Sequence, residues 1–235
     1  MGTTQKTIGL LGGMSWESTV SYYQALNRGV QARLGGLHSA RVLINSVDFA
    51  EIAQLQHQDQ WEQTGERLAN AAQALERAGA DCLLIGTNTM HKVAPQIEAA
   101  IGIPLLHIAD ATGERLKQAG IRTIALLGTR FTMEQTFYRE RLEQRFGIEV
   151  RIPDEAERER IHRVIYDELC QGIVSDDARQ DYLRIIERLH AEGAEGTILG
   201  CTEIALLVKP EHTTVPLFDT TAIHAEAAVA WALAD

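Results

Sequence analysis

The chain has 235 residues, 45% hydrophobic and 23% charged, with a formal net charge of −10. That length and apolar content suit one large or two small soluble domains with a full core. No basic stripe is visible and no run reaches the roughly 18 apolar residues that span a bilayer, so nucleic acid and membrane are excluded as expected partners.

Strand and helix signals alternate along the chain. Short apolar runs at residues 8–11, 42–44, 83–85, 105–108, 124–127, 149–152, 198–199 and 215–218 read as strands. Between them, apolar residues recur at three- and four-residue spacing over 17–33, 62–78, 133–146, 155–170 and 177–191, which predicts helices. Gly79, Gly120, Gly147 and Gly193 follow helical stretches and read as C-caps. Alternation of this kind predicts parallel sheets with helices on both faces. The strand C-termini then share one edge, where open parallel sheets bind ligands.

The sequence also repeats itself. Gly79–Thr89 (GADCLLIGTNT) reappears as Gly193–Glu203 (GAEGTILGCTE), with Thr87 and Cys201 in matching places 114 residues apart. Thr7–Gly12 matches Thr123–Gly128 and Pro104–Leu106 matches Pro216–Phe218, at nearly the same shift. A repeat this long is a duplicated domain rather than a solenoid. The expected division is residues 1–100 plus 209–235 for a first α/β domain carrying Thr87, and 101–208 for a second carrying Cys201. The final strand and helix would complete the first domain.

Several chemistries lack their motifs. The opening Gly9-Leu10-Leu11-Gly12-Gly13-Met14 has neither dinucleotide nor triphosphate spacing. It reads as a tight strand-to-helix turn or as a backbone-lined carboxylate site. The eight histidines do not group at metal-ligand spacings, so no metal is expected, and His91, His107 and His224 read as surface or satisfied core residues. No G-x-S-x-G elbow exists. Cys82, Cys170 and Cys201 form no Cys-x-x-Cys pair or disulfide framework, which suits a reducing cytoplasm. Lys6 precedes only a short, glycine-broken apolar run, so no secretory signal is expected. Met1-Gly2 lacks the downstream Ser/Thr of a myristoylation signal.

Cys201 stands at a strand exit before a helical segment, where free N–H groups and the helix dipole are expected to favour a thiolate. A thiolate acts as a general base, and the thiol returns a proton. Thr202 either caps the turn or binds a substrate carboxylate. Glu203 either tunes the thiol or occupies the first helical turn, and the second reading is the favoured one. Thr87, Asn88 and Thr89 form the matching turn of the first half, as helix caps or ligand groups. Thr129 and Thr132 follow the second Leu-Leu-Gly segment, with the same two readings.

These residues resemble the cofactor-independent aspartate/glutamate racemase family. The Gly-Leu-Leu-Gly-Gly-Met opening, Thr87-Asn88-Thr89 and Gly200-Cys201-Thr202-Glu203 carry the resemblance, which runs along nearly the whole chain. It is closest to the bacterial L-aspartate/glutamate-specific branch. Cys-Thr-Glu rather than Cys-Thr-His, and the lack of an Asp-Ser-Gly opening, argue against the cell-wall glutamate racemase branch.

The resemblance implies two pseudo-symmetric, Rossmann-like α/β domains, an active site in the cleft between them, a homodimer and no cofactor, PLP included. It implies an amino-acid racemase acting on L-aspartate or L-glutamate. Cys201 matches the cysteine that removes the α-proton of the L-enantiomer. Thr87 stands where relatives carry a second cysteine. Met14, Asn88, Thr89 and Thr202 match substrate-holding positions, joined by Thr129 and Thr132. The Gln54/Gln56 stretch falls where relatives place an arginine, with Gln56 as the candidate ligand, and Cys170 falls where they place a lysine. Two alternatives remain: a single-cysteine decarboxylase of the same superfamily, and a catalytically impaired amino-acid-binding protein.

Overall fold

A computed structural model describes residues 5–234; the myristoylation reading therefore falls partly on residues outside the described ones. The elements in chain order are β1 (Ile8–Gly12), α1 (Trp16–Leu34), β2 (Val42–Ser46), α2 (Phe49–His57), α3 (Trp61–Arg77), β3 (Cys82–Ile85) and α4 (Ala94–Ala100). There follow α5 (Ile108–Gln118), β4 (Thr123–Gly128), α6 (Arg130–Glu134), α7 (Thr136–Phe146), β5 (Glu149–Arg151), α8 (Glu155–Asp167) and α9 (Asp176–Ala191). The last are β6 (Thr197–Gly200), α10 (Ile204–Leu207), β7 (Leu217–Asp219) and α11 (Thr220–Ala232). No helix among the described residues is long and apolar enough to cross a membrane.

The chain divides into two compact units, residues 1–108 with 224–235, and residues 109–223. In the first, three parallel strands lie in the order β2-β1-β3, and Leu83 bridges in parallel to Leu105 beyond β3. Strand periodicity sorts the side chains onto two faces. Leu11, Leu83 and Ile85 pack with Ile52 of α2, Leu68, Ala72 and Leu75 of α3 and Ile97 of α4. Ile8, Leu10, Cys82 and Leu84 pack with Tyr22, Leu26 and Val30 of α1 and Ala225, Ala228 and Val229 of α11. Burial on both faces explains why these strands read as unbroken apolar runs.

The second unit repeats the plan. Its parallel sheet runs β5-β4-β6-β7. Ile161, Val164 and Ile165 of α8, Tyr182, Ile185 and Ile186 of α9, and Leu126, Leu127 and Ile198 of the strands are buried, and α8 and α9 both pack against β4. Asp154 and Glu157 form a capping box at the start of α8, and Ser175 caps α9.

Three expectations are corrected. The division falls in α5 and α11 rather than at residues 100/101 and 208/209. β7 hydrogen-bonds to β6, and Leu106 N–H donates to Leu83 O at 2.9 Å, so each edge segment stays with the sheet of its own repeat and the chain changes unit only in the helix that follows. The last strand therefore belongs to the second unit and only the last helix completes the first. The single helix expected over 133–146 is two, because Gln135 is extended (φ −81°, ψ 153°). The strand expected at 105–108 shrinks to one bridge, since helix α5 already begins at Ile108.

Gly13 shows why the opening turn needs glycine. Its φ is +90°, and an added Cβ would lie 2.2 Å from the carbonyl oxygen of Val47. Gly35, also at positive φ (+74°), has nothing within 4 Å of that position. Gly35→Ala is expected to cost about 1–2 kcal/mol through backbone strain alone. Gly13→Ala should exceed that by at least about 1 kcal/mol, because a close contact is added. Urea unfolding of both variants measures this; equal losses would mean that Val47 does not crowd the turn.

Candidate active site

In each unit two paired strands run to a glycine at the same edge: β1 to Gly12 and β3 to the residue before Gly86, β4 to Gly128 and β6 to Gly200. Leu11 pairs with Ile85, and Gly86 N–H donates to Leu11 O at 2.9 Å. In the second unit Gly128 pairs with Gly200, whose added Cβ would lie 2.8 Å from Leu127 O. Only glycines allow the backbones so close. The residues that follow, Thr87 and Cys201, therefore leave equivalent strands at equivalent points, each beside a second turn of its own unit.

In the first unit those neighbours are Met14 and Ser15. Met14 is buried in the cluster that contains Ile52, and the Met14–Ser15 peptide bond is cis. Gly13 N–H donates to Thr19 Oγ1 at 2.7 Å, and Ser18 Oγ donates to Gly86 O at 2.9 Å. These two bonds tie the β1 turn to the β3 turn. Thr87 is half-buried, while Asn88 and Thr89 are buried. Asn88 precedes a 3₁₀ turn over Thr89–Val93 without a side-chain capping bond, so the capping reading fails there. Of Gln54 and Gln56 on α2, only Gln56 points inward; its Oε1 is buried with no hydrogen-bond partner.

The turn carrying Thr87 is held by a histidine that the sequence reading left as an isolated residue. His91 Nδ1 lies 2.9 Å from Thr87 O, and Ile108 N–H donates to His91 Nε2 at 3.2 Å. A carbonyl only accepts, so Nδ1 carries the proton and the ring is neutral. The His91 and His107 rings are 4.4 Å apart, and His224 is 6.0 Å from His91. His224 Nε2 donates to Leu106 O at 2.6 Å while Nδ1 accepts from Tyr22 Oη at 2.8 Å. Burial first, then His107 and His224, holds His91 well below the usual imidazole range. Burial likewise lowers His224 to about 4. The four-residue offset from Thr87 to His91 was the only sequence signal for this contact.

In the second unit Thr129 accepts from Thr132 N–H at 3.3 Å, so it caps α6, and the two hydroxyls lie 3.2 Å apart. Thr132 also lies against the β6 turn, with Cγ2 3.6 Å from a Cβ built on Gly200. Half-buried Cys201 donates its thiol to Glu203 Oε2 at 2.9 Å, and Thr202 Oγ1 donates to the same oxygen at 2.6 Å. Cys170, on the turn after α8, donates to Glu203 Oε1 at 3.9 Å.

This arrangement corrects two expectations. Cys201 is not tuned toward thiolate. Burial raises its pKa well above the usual thiol value, and Glu203 and Cys170 add to the rise; only the Glu203 backbone N–H opposes it. The helix behind it, α10, has four residues and little dipole to offer. Nor does Glu203 merely fill a helical turn: it is buried and accepts a hydrogen bond from the Cys201 sulfur. Thr202 serves that carboxylate as a donor. Met14, Gln56, Thr87, Asn88 and Thr89 thus belong to the first unit, and Thr129, Thr132, Cys201 and Thr202 to the second.

The model of the Asp/Glu/hydantoin racemase family matches residues 11–228. A broad-specificity amino-acid racemase, RacX of Bacillus subtilis (strain 168), is 23% identical over 174 residues, which is 71% of each chain. Among solved structures, a Yersinia pestis protein provisionally described as an Asp/Glu racemase is 57% identical, with a TM-score of 0.90 over 97% of this chain and 100% of that one. An aspartate racemase homologue of Pyrococcus horikoshii OT3, PH1733, is 35% identical, with a TM-score of 0.83 over 97% of this chain and 99% of that one.

The neutral histidines make the first unit acid-sensitive. The His224 pKa is 6.5 in its ordinary state and about 4 when folded, so between those values the unfolded chain binds more protons. Stability therefore falls as pH drops through that window, by about 3 kcal/mol from this residue. Urea midpoints measured from pH 7 to 4 test this, and His224→Asn should flatten the profile. An equally steep profile in that variant would assign the acid sensitivity elsewhere.

Proposed function

The chain belongs to the Asp/Glu/hydantoin racemase family, and on that premise we propose a cofactor-independent racemase of L-aspartate or L-glutamate. In this reading Cys201 and the Thr87 side exchange protons with the substrate α-carbon. The observation that carries it is the equivalence of Thr87 and Cys201. Each follows a glycine at the end of a strand paired in parallel with a neighbour that also runs to a glycine, in sheets of the same plan. Racemisation needs a proton donor and acceptor for each face of one carbon, and a duplicated scaffold offers one per copy. Met14, Gln56, Asn88, Thr89, Thr129, Thr132 and Thr202 are the proposed substrate-holding residues, and a homodimer in the cytoplasm is the proposed state.

The two proton-handling groups are unequal. A thiol has a reference pKa of about 8.5, whereas a threonine hydroxyl holds its proton far more tightly. Cys201 is the better base and opens the reaction from the L side; the Thr87 hydroxyl, with water, delivers a proton but is poor at removing one. Enantiomers have equal free energy in water, so forward and reverse kcat/KM must match, and a one-way racemase is impossible. Apparent L-specificity then reflects binding or the step that limits kcat.

In heavy water, the α-hydrogen of the L-substrate should exchange faster than D-product appears. Equal rates of exchange and inversion, followed by NMR and chiral chromatography, would count against the unequal pair. Thr87→Cys should restore a thiol pair and speed exchange of the D-substrate, while Cys201→Ser should slow exchange of the L-substrate by at least about 100-fold. Carbon dioxide release from a disubstituted malonate would favour a decarboxylase instead. Amino-acid binding without any α-hydrogen exchange would favour a binding protein.

A further inference from the structure

Glu203 has no task in the reaction as proposed so far, yet its carboxylate is buried against the reacting sulfur. Oε2 accepts from the Cys201 thiol at 2.9 Å and from the Thr202 hydroxyl at 2.6 Å; Oε1 accepts from the Cys170 thiol at 3.9 Å. Other titratable groups approach this pair from α8 and α9. Tyr166 and Tyr182 are both held above the usual phenol range, by burial first and by Cys201 next. Neither phenol loses its proton near neutral pH. His162 lies against Tyr166, with ring centroids 4.8 Å apart. Arg160, which faces Tyr182, is engaged by Asp181 and Glu168.

A thiolate and a carboxylate this close repel, so the stable arrangement keeps one proton between them. The resting proton sits on sulfur, which makes Cys201 an acid. A thiol cannot remove an α-proton, so opening the reaction from the L side requires that proton to leave first, and the contact at 2.9 Å offers one destination.

We propose that Glu203 is a catalytic proton acceptor, which takes the thiol proton of Cys201 so that the sulfur can remove the substrate α-hydrogen. This rests on the racemase reading above. The protons balance. The S–H bond breaks as an O–H bond forms on Oε2. The thiolate then takes the α-hydrogen, and the carbanion receives a proton from the Thr87 side, leaving a base equivalent to hydroxide there. The Glu203 carboxyl then gives its proton to solvent and that base takes one from solvent, which restores the carboxylate, the thiol and the hydroxyl. Cys170 donates to the other oxygen of the carboxylate and moderates its basicity.

The isosteric Glu203→Gln variant tests this. It keeps an acceptor for the thiol but neither repels a thiolate nor takes a proton. The pH midpoint of Cys201 alkylation by iodoacetamide, read by mass spectrometry, should fall by about one to three units, because a negative neighbour has been removed. At the same time α-hydrogen exchange from the L-substrate should fall at least about 100-fold. A more reactive sulfur in a slower enzyme is an outcome that simple misfolding does not produce. Glu203→Asp should recover part of the exchange rate, since it restores a base.

An unchanged midpoint, unchanged exchange in Glu203→Gln, or an Asp variant no better than Gln would overturn the assignment. If Glu203→Gln does not fold, the unsubstituted protein still decides: a Cys201 midpoint below the ordinary thiol value of about 8.5 would overturn it. Normal exchange in Glu203→Gln removes the Glu203 role and leaves the racemase standing. A shifted midpoint with no exchange even in the unsubstituted protein would bring down the racemase itself.

Discussion

Everything at the candidate site depends on the pairing of glycine-ended parallel strands. β4 and β6 end side by side at Gly128 and Gly200, and β1 pairs with β3 as far as Leu11 and Ile85, each one residue before a glycine. Because Gly86, Gly128 and Gly200 lack a side chain, the turns that follow run close together. An added Cβ at Gly128 would lie 2.9 Å from Gly200 O. Parallel order then does the rest: every turn that begins at a strand C-terminus falls on one edge, and the residues with polar chemistry cluster there.

On this shared plan the two turns are backed by different groups. The turn with Thr87 is supported by an uncharged imidazole, kept neutral by burial first and by the Ile108 N–H that occupies His91 Nε2, while the Thr87 carbonyl fixes its tautomer. The turn with Cys201 is supported by a carboxylate that collects the thiol and hydroxyl donors around it. In one half the turn's backbone is tied to a neutral imidazole. In the other a thiol proton lies between sulfur and a carboxylate oxygen. A duplicated scaffold has thus diverged in the groups behind the turns, not in the turns' positions.

A sulfur with a raised pKa is a good proton donor at neutral pH and needs help to become an acceptor. A carboxylate lies at hydrogen-bond distance from that sulfur, at 2.9 Å. Buried as it is, the same carboxylate costs desolvation, and the three side-chain donors aimed at it offset part of that cost.

The sequence by itself determined the fold class, the duplication and the two turns of interest, because apolar runs, glycine positions and a long repeat are local or pairwise-linear signals. It determined which residues follow the strands, and so which stand at the sheet's C-terminal edge. The tertiary structure alone decided where the chain changes unit, since that depends on which strand β7 and Pro104–Leu106 pair with. It also decided the state of Cys201. Sequence proximity to a helix start suggested a thiolate, but a pKa is set by burial and by what lies within a few ångströms of the sulfur. Cys170 comes from 31 positions earlier in the chain, and Glu203 reaches back over its own turn. No linear pattern encodes those distances, so only the folded chain reveals a thiol held protonated against a carboxylate.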